Sequence, residues 1–341
     1  MQKITSEQLI KKAVELMENG TVSSVFGWEK GEFDYDVTPG IFVSTEELKE
    51  KFVYNDFSSA NLSKYLLKKT EKVQGQTFVF LQPERKILVF LKPCDTYSFN
   101  QLLTEHRFER EQIYAVGVQC DGMVDIEKVK KIAGDGILSV DCSGENVVVK
   151  TLYNDGITIA KSDVLAERCL NCKSKKHVAY DELLGETGEI IDSNRFDEVE
   201  RIEKMTADER FAFWQNELSK CIRCNACRDA CPACTCEKCV FDNPKSGVEN
   251  KSPANSFEEK LFHIIRAYHV AGRCTDCGEC SRVCPQNIPL HLLNRKFIKD
   301  INEFYGDYQA GEEVGSRSPL VNYSLNDVEP GDVFDRGDEN A

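Results

Sequence analysis

The sequence predicts a mixed fold of class α+β/α/β: an α/β half with one βαβ unit, then a helical, cysteine-dense half and an acidic tail. Three observations predict it. Between positions 77 and 121, β-rich apolar runs alternate with a helical stretch. Eleven of the sixteen cysteines crowd into 221–284. The last 31 residues carry two positive and eight negative charges with few large apolar side chains. The boundaries follow as 1–192, 193–310 and 311–341.

Each element has a reason. Thr5 and Gln8 suit a capping box, apolar Leu9, Ile10, Ala13, Val14 and Leu16 share one face, and Gly20 can stop that helix. Charged TEELKEKF and then NLSKYLLKK read as two more helices. TFVFLQ (77–82) and KILVFLK (86–92) are strand-like apolar runs. TYSFNQLLTEH (96–106) reads as a helix and IYAVGVQCD (113–121) as a strand. Strand, helix, strand makes parallel pairing the expectation. It would place Cys94 and Cys120 at the carboxyl ends of parallel strands, where open α/β sheets hold their sites. Residues 136–162 alternate like short antiparallel strands. Segment 163–220 is polar and helical, and 256–272 and 289–304 are amphipathic helices. The final stretch reads as loosely ordered.

Composition excludes several classes. Lys plus Arg is 43 against 57 Asp plus Glu, a net charge of −14 over 341 residues. An acidic chain without a basic tract is a poor ligand for nucleic acid or anionic membrane. No apolar run approaches the ~18 residues of a membrane span. The first twenty residues have no signal-peptide core, so the expected location is the cytoplasm.

The cysteines argue for metal. Disulfide scaffolds are mostly short secreted chains, and tight CxxC runs suit iron or zinc better. CIRCNACRDACP (221–232) and CTDCGECSRVCP (274–285) superimpose without a gap as C-x2-C-x2-C-x3-C-P. This is the two-cluster ferredoxin run, whose fourth cysteine ligates the other cluster. One 4Fe-4S cluster is expected on Cys221, Cys224, Cys227 and Cys284. The other is expected on Cys274, Cys277, Cys280 and Cys231. Two zinc ribbons would leave the third cysteine and the Cys-Pro unexplained in both runs. A third set, Cys94, Cys120, Cys169 and Cys172, supplies four thiolates for a third 4Fe-4S cluster, with KPCD and the CxxC pair read as turns. Cys234, Cys236 and Cys239 are either packing sulfurs or ligands of an additional cluster. Cys142 is left over. The five histidines show no paired spacing and read as ordinary. No phosphate-binding glycine loop or nucleophile motif is present, so no bond-breaking centre is visible.

Forty-two residues separate Cys231 from Cys274. That interval resembles the helical ferredoxin module of heterodisulfide reductase small subunits and succinate dehydrogenase iron–sulfur subunits. The stretches KILVFLKPCDTYSFNQLL, YAVGVQCDG, ERCLNCKSKKHVAYDELLGE, CPACTCEKC and HVAGRCTDCGECSRVCPQNIP together resemble the beta subunits of anaerobic formate dehydrogenases linked to heterodisulfide reductase, and the related deazaflavin-reducing hydrogenase and sulfhydrogenase beta subunits. The resemblance covers roughly 75–320. It implies electron transfer between a formate dehydrogenase or hydrogenase catalytic subunit and a flavin or heterodisulfide-reductase-type partner. It also implies FAD in some members, though no FAD signature stands out here. The expected function is an iron–sulfur electron-transfer subunit rather than an independent catalyst. The alternative is a flavin-bearing subunit that itself reduces deazaflavin or NAD(P). The acidic chain is expected to lower the cluster potentials.

Overall fold

The computed structural model describes residues 4–70, 85–172, 176–186, 194–236, 239–242 and 256–322 of the 341. Helix α1 (Ser6–Glu18) starts at the expected capping box: the Thr5 hydroxyl accepts from the Gln8 N–H, and the Gln8 side chain accepts from the Thr5 N–H at 2.9 Å. Leu9, Ala13 and Leu16 of α1 are buried. Strands β1 (Val22–Lys30) and β2 (Val37–Phe42) then pair antiparallel. Helices α2 (Thr45–Lys51) and α3 (Ser63–Thr70) follow.

Next comes the βαβ unit. Strand β3 (Lys86–Leu91), helix α4 (Pro93–Thr104) and strand β4 (Ile113–Val118) bring β3 and β4 together in parallel. Ile87 to Leu91 are all buried, as expected of a parallel strand covered on both faces. Strand β1 also joins β3 in parallel. Neither β1 nor the three-residue strand β8 (Glu182–Leu184), parallel to β4, is read from the sequence. The first is buried nearly throughout, so it shows no alternation; the second is too short to show any. The sheet order is β2-β1-β3-β4-β8. The expected strand at 77–82 lies outside the described residues.

Helix α4 starts three residues earlier than expected. Pro93 takes the first helical position, where its missing N–H costs nothing, and the Asp95 carboxylate accepts from the Lys92 N–H at 3.3 Å. Cys94 therefore sits in the first turn of a helix, not in a turn before one. After α5 (Ile126–Ala133), strands β5 (Ile137–Asp141), β6 (Asn146–Thr151) and β7 (Ile157–Ala160) form the expected small antiparallel sheet. Two single turns, α6 (Lys161–Val164) and α7 (Glu167–Leu170), return the chain to the large sheet. Cys169 thus also lies on a helical turn rather than in an open loop.

The second half is helical: α8 (Asp197–Glu203), α9 (Ala207–Ser219), α10 (Ala226–Asp229), α11 (Ser256–Val270), α12 (Glu279–Arg282) and α13 (Leu290–Tyr305). Helices α9 and α13 pack on α11, and α8 packs on α13. The halves meet through polar contacts. Arg273 grips Glu105 with two bonds of 2.8 and 2.6 Å, and the Ser98 and Thr275 hydroxyls stand 2.8 Å apart. The start of the acidic tail is not loose. The Gly315 N–H donates to the Thr104 hydroxyl at 2.9 Å, and Ser318 is buried. Gly311, at φ +76°, lies so close to the Tyr97 carbonyl that a Cβ would stand 1.9 Å from its oxygen. Residues 323–341 lie outside the described residues.

A buried ion pair fixes the start of α4. Lys92 Nζ lies 2.8 Å from Asp95 Oδ2 and 2.8 Å from the Ala60 carbonyl, above the Trp28 ring at 4.5 Å. Burial pushes the Asp95 carboxyl up, and Lys92 pulls it back. Removing one member of such a pair strands the other. Asp95→Ala should lower stability in anaerobic urea unfolding by about 3–5 kcal/mol, and Lys92→Met with Asp95→Leu should recover most of that. A cost of the single change below about 1 kcal/mol would show that the pair does not hold α4.

Candidate metal centres

The two cysteine runs fold identically. In the first, Arg223 and Asn225 take positive φ of 54° and 62°; in the second, Asp276 and Gly278 take 59° and 67°. These left-handed residues alternate with the cysteines. Each costs a non-glycine residue about 1–2 kcal/mol. Alternating hands of this kind turn successive N–H groups inward, toward where anionic sulfur gathers. The Arg223 N–H, 3.4 Å from the Cys221 sulfur, shows it directly. Asn225 and Gly278 then start the single turns α10 and α12.

Cys221, Cys224, Cys227 and Cys284 line one cavity, together with His263, Phe262 and Ile288. The first three come from the first run and Cys284 from the second. Around Cys227 the near thiols are Cys284, Cys224 and Cys231. The partner set is as close: Cys231 lies beside Cys274, Cys277 and Cys280. The fourth cysteine of each run thus lies near the first three of the other, and Cys231 also lies near Cys227. Cys227 and Cys280 share one apolar cluster with Leu218, Ile288 and Leu290, so the two sets abut.

A third cavity lies at the carboxyl edge of the large sheet. Its wall includes Cys94 after β3, Cys120 after β4, and Cys169 and Cys172 from α7 and beyond. The Met123 N–H points at the Cys169 sulfur at 3.4 Å. Cys277 of the second run forms part of the same wall, as do Arg168, Asp276 and Arg295.

Burial governs the free thiols. It pushes Cys94 and Cys274 up strongly and Cys280 up to about 12. Buried thiolates without a counter-charge are disfavoured, and iron supplies that charge, so loading releases protons. Cys231 is the exception: a hydrogen bond from Cys234 holds it low. Among the described residues no three His, Cys, Asp or Glu close around a single metal ion. Each cubane thiolate binds a different iron, so a cluster's four sulfurs stand farther apart than four ligands of one ion. The grouping of soft sulfur ligands with inward N–H groups fits 4Fe-4S clusters.

Cys234 packs with Cys231, Ala233, Val270 and Cys274, and so stands beside the second set. Cys236 is exposed and Cys239 half-buried. Cys142 is buried in the small-sheet core and borders a groove next to the third cavity. That groove tests the fit of FAD. It is lined by Asp34, Asp56, Asp121 and Asp141, with no Lys or Arg among the described lining residues. Asp56 is paired by Lys161. Carboxylates repel a pyrophosphate, so a flavin dinucleotide in this groove would have to be held by backbone N–H groups rather than side-chain cations.

Two arginines that a cysteine count does not reveal organise the centres. Arg168 donates to the Cys277 carbonyl at 2.7 Å, to Glu279 at 2.5 Å and to the Ser59 carbonyl at 2.6 Å. Burial would push the Glu279 carboxyl up, but Arg282 and Arg168 outweigh it and hold it down at about 2. Arg266 donates to the Cys227 carbonyl at 2.7 Å. Their signal in the sequence is faint: Arg168 precedes Cys169, and Arg266 sits on the apolar side of an amphipathic helix.

Gly278 gives a direct test. Its φ is +67°, and a Cβ there would meet the Arg168 side chain at 2.7 Å. Gly278→Ala should destabilise the holoprotein by about 1–2 kcal/mol from backbone strain alone. It should also speed chelator-driven iron loss. An unchanged melting temperature and iron content would show that this loop tolerates an L residue.

Comparison with known proteins agrees. Residues 217–288 match the 4Fe-4S dicluster domain. The chain is 23% identical to the "F420-dependent formate dehydrogenase subunit beta" of Methanocaldococcus jannaschii, over 90% of this chain and 92% of that one. It is 24% identical to the "F420-dependent formate dehydrogenase 1 subunit beta" of Methanococcus maripaludis, over 89% of this chain and 92% of that one. A solved structure of the F420-reducing NiFe hydrogenase complex from Methanosarcina barkeri aligns with 50% of this chain and 64% of its own at 13% identity, with a TM-score of 0.36. The protein is an iron–sulfur electron-transfer subunit with a 4Fe-4S dicluster domain, and the resemblance to the formate dehydrogenase beta-subunit family holds along nine-tenths of its length.

Proposed function

We propose that this chain relays single electrons through three 4Fe-4S clusters. The ligand sets are Cys221, Cys224, Cys227 and Cys284; Cys274, Cys277, Cys280 and Cys231; and Cys94, Cys120, Cys169 and Cys172. One observation carries the reading: Cys277, from the second set, is also wall of the third cavity, while Cys280 of that set packs with Cys227 of the first. Three centres so arranged form an unbroken path from the sheet edge to the helical end. Cys224, which is exposed, and Ile222, 61% exposed, mark where that path reaches the surface.

On this reading the division at 192 separates the third centre from the dicluster half, and the chain does no substrate chemistry itself. The printed names of its relatives favour a formate dehydrogenase catalytic subunit as one partner. A flavin or heterodisulfide-reductase-type subunit is the other. No described helix is long and apolar enough to cross a membrane, and a cytoplasmic complex suits air-sensitive clusters.

The chain's own residues position and insulate. Inward N–H groups steady the sulfurs, burial keeps water off, Arg266 brings positive charge to the Cys227 carbonyl, and the pairs Arg168–Glu279 and Arg295–Asp276 fix the loops. When bound, the clusters supply one-electron acceptor and donor states. The flavin-bearing alternative would be favoured by flavin released on denaturation.

Anaerobically purified protein should contain about twelve irons, four per cluster, and Cys94→Ser with Cys169→Ser should reduce this to about eight with both dicluster signals intact. About eight irons in the unaltered protein would contradict the third centre, and zinc in place of iron would contradict the whole reading.

A further inference from the structure

Helix α11 turns two polar side chains inward, His263 and Arg266, three residues apart and so on one face. Arg266 has a partner in the Cys227 carbonyl. His263 does not. Its side chain is buried in a residue only 2% exposed, and neither ring nitrogen has a hydrogen-bond partner. Leaving a buried polar group unsatisfied is costly, so one that persists needs an explanation.

The surroundings supply one. The imidazole lines the same cavity as Cys221, Cys224, Cys227 and Cys284. On its other sides stand the Phe262 ring, T-shaped at 5.0 Å, and the guanidinium groups of Arg266 and Arg223. None of these accepts a hydrogen bond. Burial and then those two cations push the ring's pKa down, and in either tautomer the imidazole offers an N–H.

We propose that His263 donates a ring N–H to a sulfur of the cluster held by Cys221, Cys224, Cys227 and Cys284, and so raises that cluster's potential. The inference rests on the ligand set proposed above. The reduced cluster carries one more negative charge, so a fixed N–H donor stabilises it more than the oxidised form. The neighbouring set has a different donor: Asn294 Nδ2 stands 3.7 Å from the Cys280 sulfur. Two otherwise repeated centres would then differ in potential through one histidine and one amide.

The test uses the anaerobic full chain, with iron content measured for every sample and potentials read by EPR-monitored titration. His263→Phe should shift the reduction equilibrium of this cluster about tenfold toward the oxidised form, 59 mV for one electron. His263→Gln, which keeps an N–H, should retain most of the original value, and the second dicluster centre should not move in either. Reduced wild-type protein labelled with 15N-histidine should show a 15N coupling on this cluster in pulsed EPR, even if the Phe variant fails to assemble. An assembled cluster with unmoved potential and no 15N coupling overturns the hydrogen bond alone. Wild-type protein lacking a cluster on these four cysteines overturns both the hydrogen bond and the ligand set.

Discussion

The proposed relay depends on how the two halves are pinned, and at the cysteine loops themselves that task falls to the buried contact of Arg168 with Glu279 and the Cys277 carbonyl. The arginine sits one residue before Cys169, in the turn that feeds the third cavity. The carboxylate lies within the second cysteine run. Their 2.5 Å contact ties one ligand loop to the other across a sequence separation of 111 residues. Arg282 closes the other side of Glu279 at 2.8 Å. A buried pair like this is a weak source of net stability against an apolar replacement. Its value here is geometric: two planar guanidinium forks on one carboxylate leave little freedom for the spacing between centres.

The same region shows why net charge is a poor guide to local redox chemistry. The chain carries a charge of −14, which by itself would favour oxidised clusters. Close to the sulfurs, however, the buried charges are mostly paired: Arg168 with Glu279 and Arg295 with Asp276, while Arg266 donates to the Cys227 carbonyl. A nearby buried cation acts in low dielectric, whereas distant surface carboxylates are screened by solvent and salt. The potentials expected of an acidic chain therefore depend on these buried pairs more than on the distant surface carboxylates. Burial also couples metal to folding. Thiols pushed up by desolvation become thiolates only when iron arrives, so the protein with its clusters and the protein without them differ in charge at the core.

Much of this was legible in the sequence, for physical reasons that differ by element. The repeat C-x2-C-x2-C-x3-C-P encodes its own loop: the same left-handed positions recur in both copies because the cysteine spacing requires them. The edge position of Cys94 and Cys120 followed from the rule that a strand–helix–strand connection makes the strands parallel. Other features were hidden. Strand β1 is buried nearly throughout and shows no period. Helix α4 begins at Pro93 because a side chain caps it, which apolar periodicity does not report. The tail's first residues read as loose by composition, yet Gly311 and Ser318 pack against the body because small residues allow close approach. Arg168 and His263 look unremarkable by type; only tertiary placement gives them a role.

The most direct test of an unbroken three-centre path is the EPR spectrum of the fully reduced protein. Neighbouring paramagnetic clusters broaden and split one another's signals through space. The account predicts a broadened, interacting spectrum whose second-centre lines simplify when the third set is removed. A fully reduced spectrum equal to the plain sum of isolated clusters, unchanged by loss of the third set, would contradict it.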